Sequence, residues 1–165
     1  MSLMPQLVLL EDDHRLIVEV AKKLVNDANA KAVFLVDKNG QLVGEAGELE
    51  GIDTTSLASL VAGNIAASGG LAKLIGEDEF PVHFHQGERD NVHITLVAQR
   101  IILVVIFDDR SSLGLVRLRV KKAGQSLSEI FDRVFKRVEA ELAGEGESSP
   151  FAEISDEDID NLFAD

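Results

Sequence analysis

Three histidines and a string of alternating aspartates are the residues whose type and spacing could do chemistry. His83 and His85 lie two apart in a run that reads as a strand, so their side chains share a face. His93 falls on the strand expected to pair with it, and three imidazoles on one face could hold zinc. Histidine on a half-exposed strand is ordinarily just surface, and no metal is assigned. Asp156-x-Asp158-x-Asp160 imitates the opening of a calcium loop, but Asn161 stands where the sharp turn demands glycine and no closing glutamate follows. Ser155 there reads more simply as a helix cap followed by acids that suit a helix start. No nucleophile elbow, Walker A loop, dinucleotide fingerprint or HExxH motif is present. Cysteine is absent, which removes disulfides and thiolate zinc ligands and suits a reducing compartment. No catalytic residue, cofactor or metal is therefore expected. The residues point to a chain that works by touching other proteins.

The elements that would position these groups follow from periodicity. Leu16, Ile17, Val20, Ala21, Leu24 and Val25 recur at helical steps between Glu11 and Asp27. Ala32–Val36, the turn residues Asp37-Lys38-Asn39-Gly40 and Leu42-Val43 predict a hairpin. Asp53 can cap a second helix carrying Leu57, Leu60, Val61 and Ile65 on its packing face. Gly69-Gly70 is expected to break or bend that helix, with Leu71–Ile75 as a last turn. Val82–Gln86, Val92–Ala98 and Ile101–Phe107 predict a three-stranded meander, and the last strand, apolar on both faces, belongs at the sheet centre. A stripe from Leu113 to Val138 predicts a long third helix, which Gly124 would interrupt. Residues 144–150 read as a flexible linker. The order αββαβββα places the chain in the α+β class, a five-stranded antiparallel sheet with helices on both faces. Residues 7–143 form the domain and residues 144–165 an acidic linker and amphipathic tail. Profilin-like, PAS-like and roadblock-like domains share this outline, and fold alone does not choose between them.

The net charge of −13 opposes binding to nucleic acid or anionic membrane. Eight of the acids lie between Gly144 and Asp165, where there is no Lys or Arg, so the preceding body is only near −5. No stretch reads as a signal peptide or approaches the ~20 apolar residues of a membrane span, and a cytoplasmic protein is expected.

Two features stand out beyond ordinary packing. Ala62, Gly63, Ala66, Ala67, Gly69 and Gly70 strip the second helix of side-chain relief, and Ala62, Ala66 and Gly70 repeat at four-residue intervals. Such a face suits close approach of another backbone, although tight packing within the domain gives the same pattern. In the tail, Phe151 and Ile154 precede Ile159, Leu162 and Phe163, which would form one apolar stripe on a helix. That stripe suits docking in a partner's groove, or folding back on its own domain.

The segments VFLVDKNGQLVGEAG, IDTTSLASLVAGNIAASGGLAKLIGE, FDDRSSLGLVRLRVKKA and SPFAEISDEDIDNLF resemble the bacterial Roadblock/dynein light chain family over nearly the whole chain. The resemblance implies a homodimer, with second helices packed together and third strands joining two sheets. It also implies a partner, a Ras-like small GTPase of the MglA type whose GTP hydrolysis the dimer stimulates in cell polarity and motility. No arginine finger comes from such a dimer; the GTPase supplies its own catalytic groups once its switch regions are remodelled. Carried onto this sequence, Ala62, Gly63, Ala66, Ala67 and Gly70 would dock the GTPase, and Phe151, Ile154, Ile159, Leu162 and Phe163 would make a second contact. Arg15, Lys121 and Lys122 are weaker candidates, since exposed cations are ordinary. A scaffold that binds a GTPase without accelerating it, and a PAS-like ligand sensor, are the rival readings.

Overall fold

The computed structural model describes residues 7–148. These fall into two units, residues 10–131 and residues 7–9 with 132–148. The larger unit holds α1 (Glu11–Asp27), β1 (Ala32–Asp37), β2 (Leu42–Gly47), α2 (Thr54–Leu74), β3 (Val82–Gln86), β4 (Asn91–Val97), β5 (Ile101–Phe107) and the first part of α3 (Leu113–Ser148). In the smaller unit, Arg137 Nη2 donates to the Val8 carbonyl at 3.2 Å.

The five strands are antiparallel throughout, in the order β2-β1-β5-β4-β3. β5 is central, as its run of apolar residues requires, and β1 beside it is buried along its whole length. Alternation along the strands sorts the core into two layers. Ala32, Phe34, Val36, Ile94, Ile102 and Val104 pack with Ala58, Val61 and Ile65 of α2 on one face. On the other face α1 comes so close to β2 that a Cβ at Gly44 would sit 3.1 Å from Ile17. Val20 and Leu24 of α1 line a shared groove with Arg119 and Ala123, so α3 runs alongside α1.

Each helix start is explained by its neighbours in sequence. The Asp13 carboxylate accepts the Leu10 N–H at the head of α1. Asp53 accepts both the Ser56 N–H and its hydroxyl, and these bonds hold its carboxyl below the usual carboxylate range. Ser112 Oγ accepts the Leu115 N–H at the start of α3. The hairpin turn forms as its residues predict, with Gly40 at φ +90° and Asp37 Oδ1 accepting the Asn39 N–H.

Several expectations are overturned. Gly69-Gly70 does not break α2, which runs unbroken to Leu74, and Gly124 does not interrupt α3. A single glycine costs a helix only about 1 kcal/mol, which neighbouring turns absorb. α3 also continues to Ser148, into the segment read as linker. Leu60, placed on the packing face by periodicity, is 73% exposed. Finally, α2 is long and apolar enough in composition to cross a membrane, with 22% of its apolar window buried, because Gly63, Ala66, Ala67 and Gly70 count as apolar yet face away from the sheet.

Candidate docking surface

The three histidines do not assemble. Register pairs His83 with Ile94 and His85 with Val92, whose side chains belong to the α2 layer, whereas His93 pairs with Phe84 and Val105 on the opposite face. Among the described residues no group of His, Asp or Glu is arranged to hold a metal ion. His93 is buried, its Nδ1 lies 3.1 Å from the Thr95 hydroxyl, and its Nε2 has no partner among the described residues. Burial, aided by the Arg117 charge, holds its pKa below the ordinary value.

The small-residue helix does build a surface. Ala62, Ala66 and Gly70 of α2, with Ile65 and Gly69, line a hollow of about 510 Å³. Its rim is charged: Lys38 comes from the β1–β2 turn, Lys73 from the end of α2, and Asp78 and Glu79 from the loop that follows. The turn is fixed from two sides. Lys38 Nζ meets Glu79 Oε1 at 2.8 Å, while Asp37, almost wholly buried, receives Arg100 Nη2 at 3.5 Å. Gly40 brings that turn against α2, where a Cβ would lie 3.5 Å from Ser59 Cα and 3.8 Å from Ala62 Cβ. The turn therefore accounts for a small residue at 62. It does not account for the rest, because at Gly63, Gly69 and Gly70 a Cβ would meet nothing within 4 Å.

The five α2 residues expected to form one site are divided by the helix. Ala62, Ala66 and Gly70 face the hollow; Gly63 and Ala67 do not line it. They fall instead, at steps of three and four, on a stripe with Leu60, Leu71 and Leu74. These leucines are 73%, 56% and 84% exposed. One helix thus presents a charged-rimmed hollow and, beside it, an apolar ridge with small residues at its centre. Lys38, Asp78 and Glu79 were not legible as members, since only the folded turns bring them to α2. Arg15 pairs with Asp12 at 3.3 Å on α1, and Lys121 and Lys122 lie on α3, across the sheet from the hollow. Phe151, Ile154, Ile159, Leu162 and Phe163 lie outside the described residues.

The Roadblock/LC7 domain model matches residues 16–107, from α1 to the end of β5. The chain belongs to the Roadblock/LC7 family. Among solved structures, this roadblock chain is similar to MglB of Myxococcus xanthus, with 60% identity over 78% of this chain and 96% of that one and a TM-score of 0.74. The gliding protein MglB of Thermus thermophilus is 34% identical, covering 79% of this chain and 99% of that one, with a TM-score of 0.73. An MglB described in a tetrameric arrangement is 33% identical, covering 80% and 99%, with a TM-score of 0.74. No curated protein sequence matches the chain closely enough to count. In this roadblock domain the matched region ends before α3, so the α2 surface lies wholly within it.

Proposed function

We propose that this chain is a non-enzymatic regulator in a gliding-motility and cell-polarity system, acting on a Ras-like small GTPase of the MglA type. It works as a homodimer in the cytoplasm, at a cell pole, and accelerates GTP hydrolysis whose catalytic groups belong to the GTPase. The observation that carries this reading is the α2 surface, where glycines with room for a Cβ leave a helix backbone bare beside exposed leucines. Bare backbone next to an apolar ridge allows two helices to approach closely. The ridge of Leu60, Gly63, Ala67, Leu71 and Leu74 pairs with the same ridge of a second copy, and the neighbouring hollow receives the GTPase. The hollow's mixed rim of Lys38, Lys73, Asp78 and Glu79 gives orientation to a partner with complementary charges. The likeness to MglB proteins, one named for gliding and one for a tetrameric arrangement, supports both the system and the self-association.

The test is GTP turnover by an MglA-type GTPase with and without this protein at a few-fold excess. Acceleration that disappears with Ala66→Arg supports the activator; binding without acceleration leaves a scaffold. A ligand sensor is disfavoured because the space between α2 and the sheet is filled by Phe34, Ile102, Val104, Val61 and Ile65.

A further inference from the structure

The face opposite α2 carries a second surface that the GTPase reading does not use. Residues 110–128, at the start of α3, include Arg117, Arg119, Lys121 and Lys122 and not one Asp or Glu, in a body that is net acidic. None of these four, nor Lys22 or Lys23 of α1, makes an ion pair among the described residues. Three of these cations converge where α1 and α3 run side by side. Lys23, Arg119 and Lys122 border a groove floored by Val20, Leu24 and Ala123, with Asp27 as its one carboxylate and Ser126 at its edge. Arg119 itself is half-buried, and its Nε has no hydrogen-bond acceptor among the described residues.

The groove's volume, about 60 Å³, is far below the roughly 300 Å³ at which ligand pockets begin, but it has room for the end of one apolar side chain. It therefore asks for a peptide that carries several carboxylates and an occasional apolar residue. That chemistry is present in the protein itself. Residues 151–163 hold Glu153, Asp156, Glu157, Asp158 and Asp160 with no cation, and place Ile159, Leu162 and Phe163 at helical spacing.

We propose that the groove between α1 and α3 is a docking site for the acidic C-terminal segment, residues 151–163, of a second copy of this chain. Charge complementarity selects the segment, and the apolar floor fixes which of its side chains enters. Because the groove lies across the sheet from α2, the contact links copies without using the ridge or the hollow.

The absence of cysteine makes the test direct. One full-length variant carries Ser126→Cys and a second, of distinguishable mass, carries Ala164→Cys; the mixture is treated with a bismaleimide cross-linker. The expected product is the mixed pair, its yield falling about tenfold when Lys23→Glu and Lys122→Glu are added to the first variant, the change that loss of a charge-assisted contact gives. Asp156→Asn, Asp158→Asn and Asp160→Asn in the second variant should give the same loss with the body untouched, and reversing those three to Lys should restore the yield to the Lys→Glu variant. No mixed pair, or a yield indifferent to all these charges, overturns the proposal. In a third variant that carries both Ser126→Cys and Ala164→Cys, a cross-link that forms only within single chains overturns the second copy as the source. Restored yield with reversed charges also excludes misfolding as the cause of the loss.

Discussion

At Gly47 the backbone has φ +98°, and a Cβ there would sit 2.5 Å from the Lys31 carbonyl oxygen; at Gly63 it would meet nothing within 4 Å. The same substitution should therefore have opposite signs. Gly47→Ala forces a side chain into a left-handed conformation against fixed backbone and should destabilise by about 2 kcal/mol or more. Gly63→Ala adds a helix-favouring residue in open space and should stabilise the isolated chain by about 0.5–1 kcal/mol. Urea midpoints at low protein concentration check both. Self-association should weaken in Gly63→Ala, since the added methyl stands on the ridge. His93 supplies a second prediction at this scale. Its folded-state pKa lies below the ordinary 6.5, so between those two values the unfolded chain binds more protons than the folded one. Stability then rises with pH through that window and falls as pH drops below about 6.5. His93→Phe should flatten this part of the pH profile in thermal melts. Sequence alone could place these imidazoles on strands; only the β3–β4 register decides which face each takes.

Among the elements, those with a clean period were legible nearly to the residue: α1 and the meander each rest on one apolar face or one two-sided run, whereas α3 was legible in its apolar stripe but not in its continuity past Gly124 or its end. α2 was legible as a helix but not in its faces. Its Ala and Gly carry so little hydrophobic contrast that Leu60 looked like core, although Ala58 and Ala72 are buried in the packing layer and Leu60 faces out. The glycine pair misled for a related reason, because a helix interior tolerates glycine when other turns carry its stability. This predicts that α2 holds its shape through substitutions on the outward face. Leu60→Asp and Leu74→Asp should keep the far-ultraviolet dichroism of the parent and reduce its mass in light scattering from dimer to monomer. Loss of helical signal instead would mean that the ridge is needed for folding.

For the whole molecule, the sheet separates two kinds of surface: α2 with bare backbone and leucines on one side, and on the other the groove of α1 and α3 bordered by Lys23, Arg119 and Lys122, which make no ion pair among the described residues. The hollow on the α2 side could not be read in full from sequence, because Lys38 and Glu79 stand 41 residues apart and meet only when the hairpin turn reaches the loop after α2. Hollow and ridge share a helix but not their residues, so their defects should be separable in one direction only. Ala66→Arg or Gly70→Arg fills the hollow and should abolish GTPase binding while leaving the self-associated state intact. Leu74→Asp should lose both, if the GTPase requires two copies to form its seat. Lys38→Ala, which frees Glu79 and loosens one wall, should weaken GTPase binding several-fold without changing the mass of the free protein. Binding isotherms beside light scattering on the same samples decide it. If Ala66→Arg dissociates the copies, the hollow is part of the self-association surface; if Leu74→Asp still binds the GTPase normally, a single copy suffices.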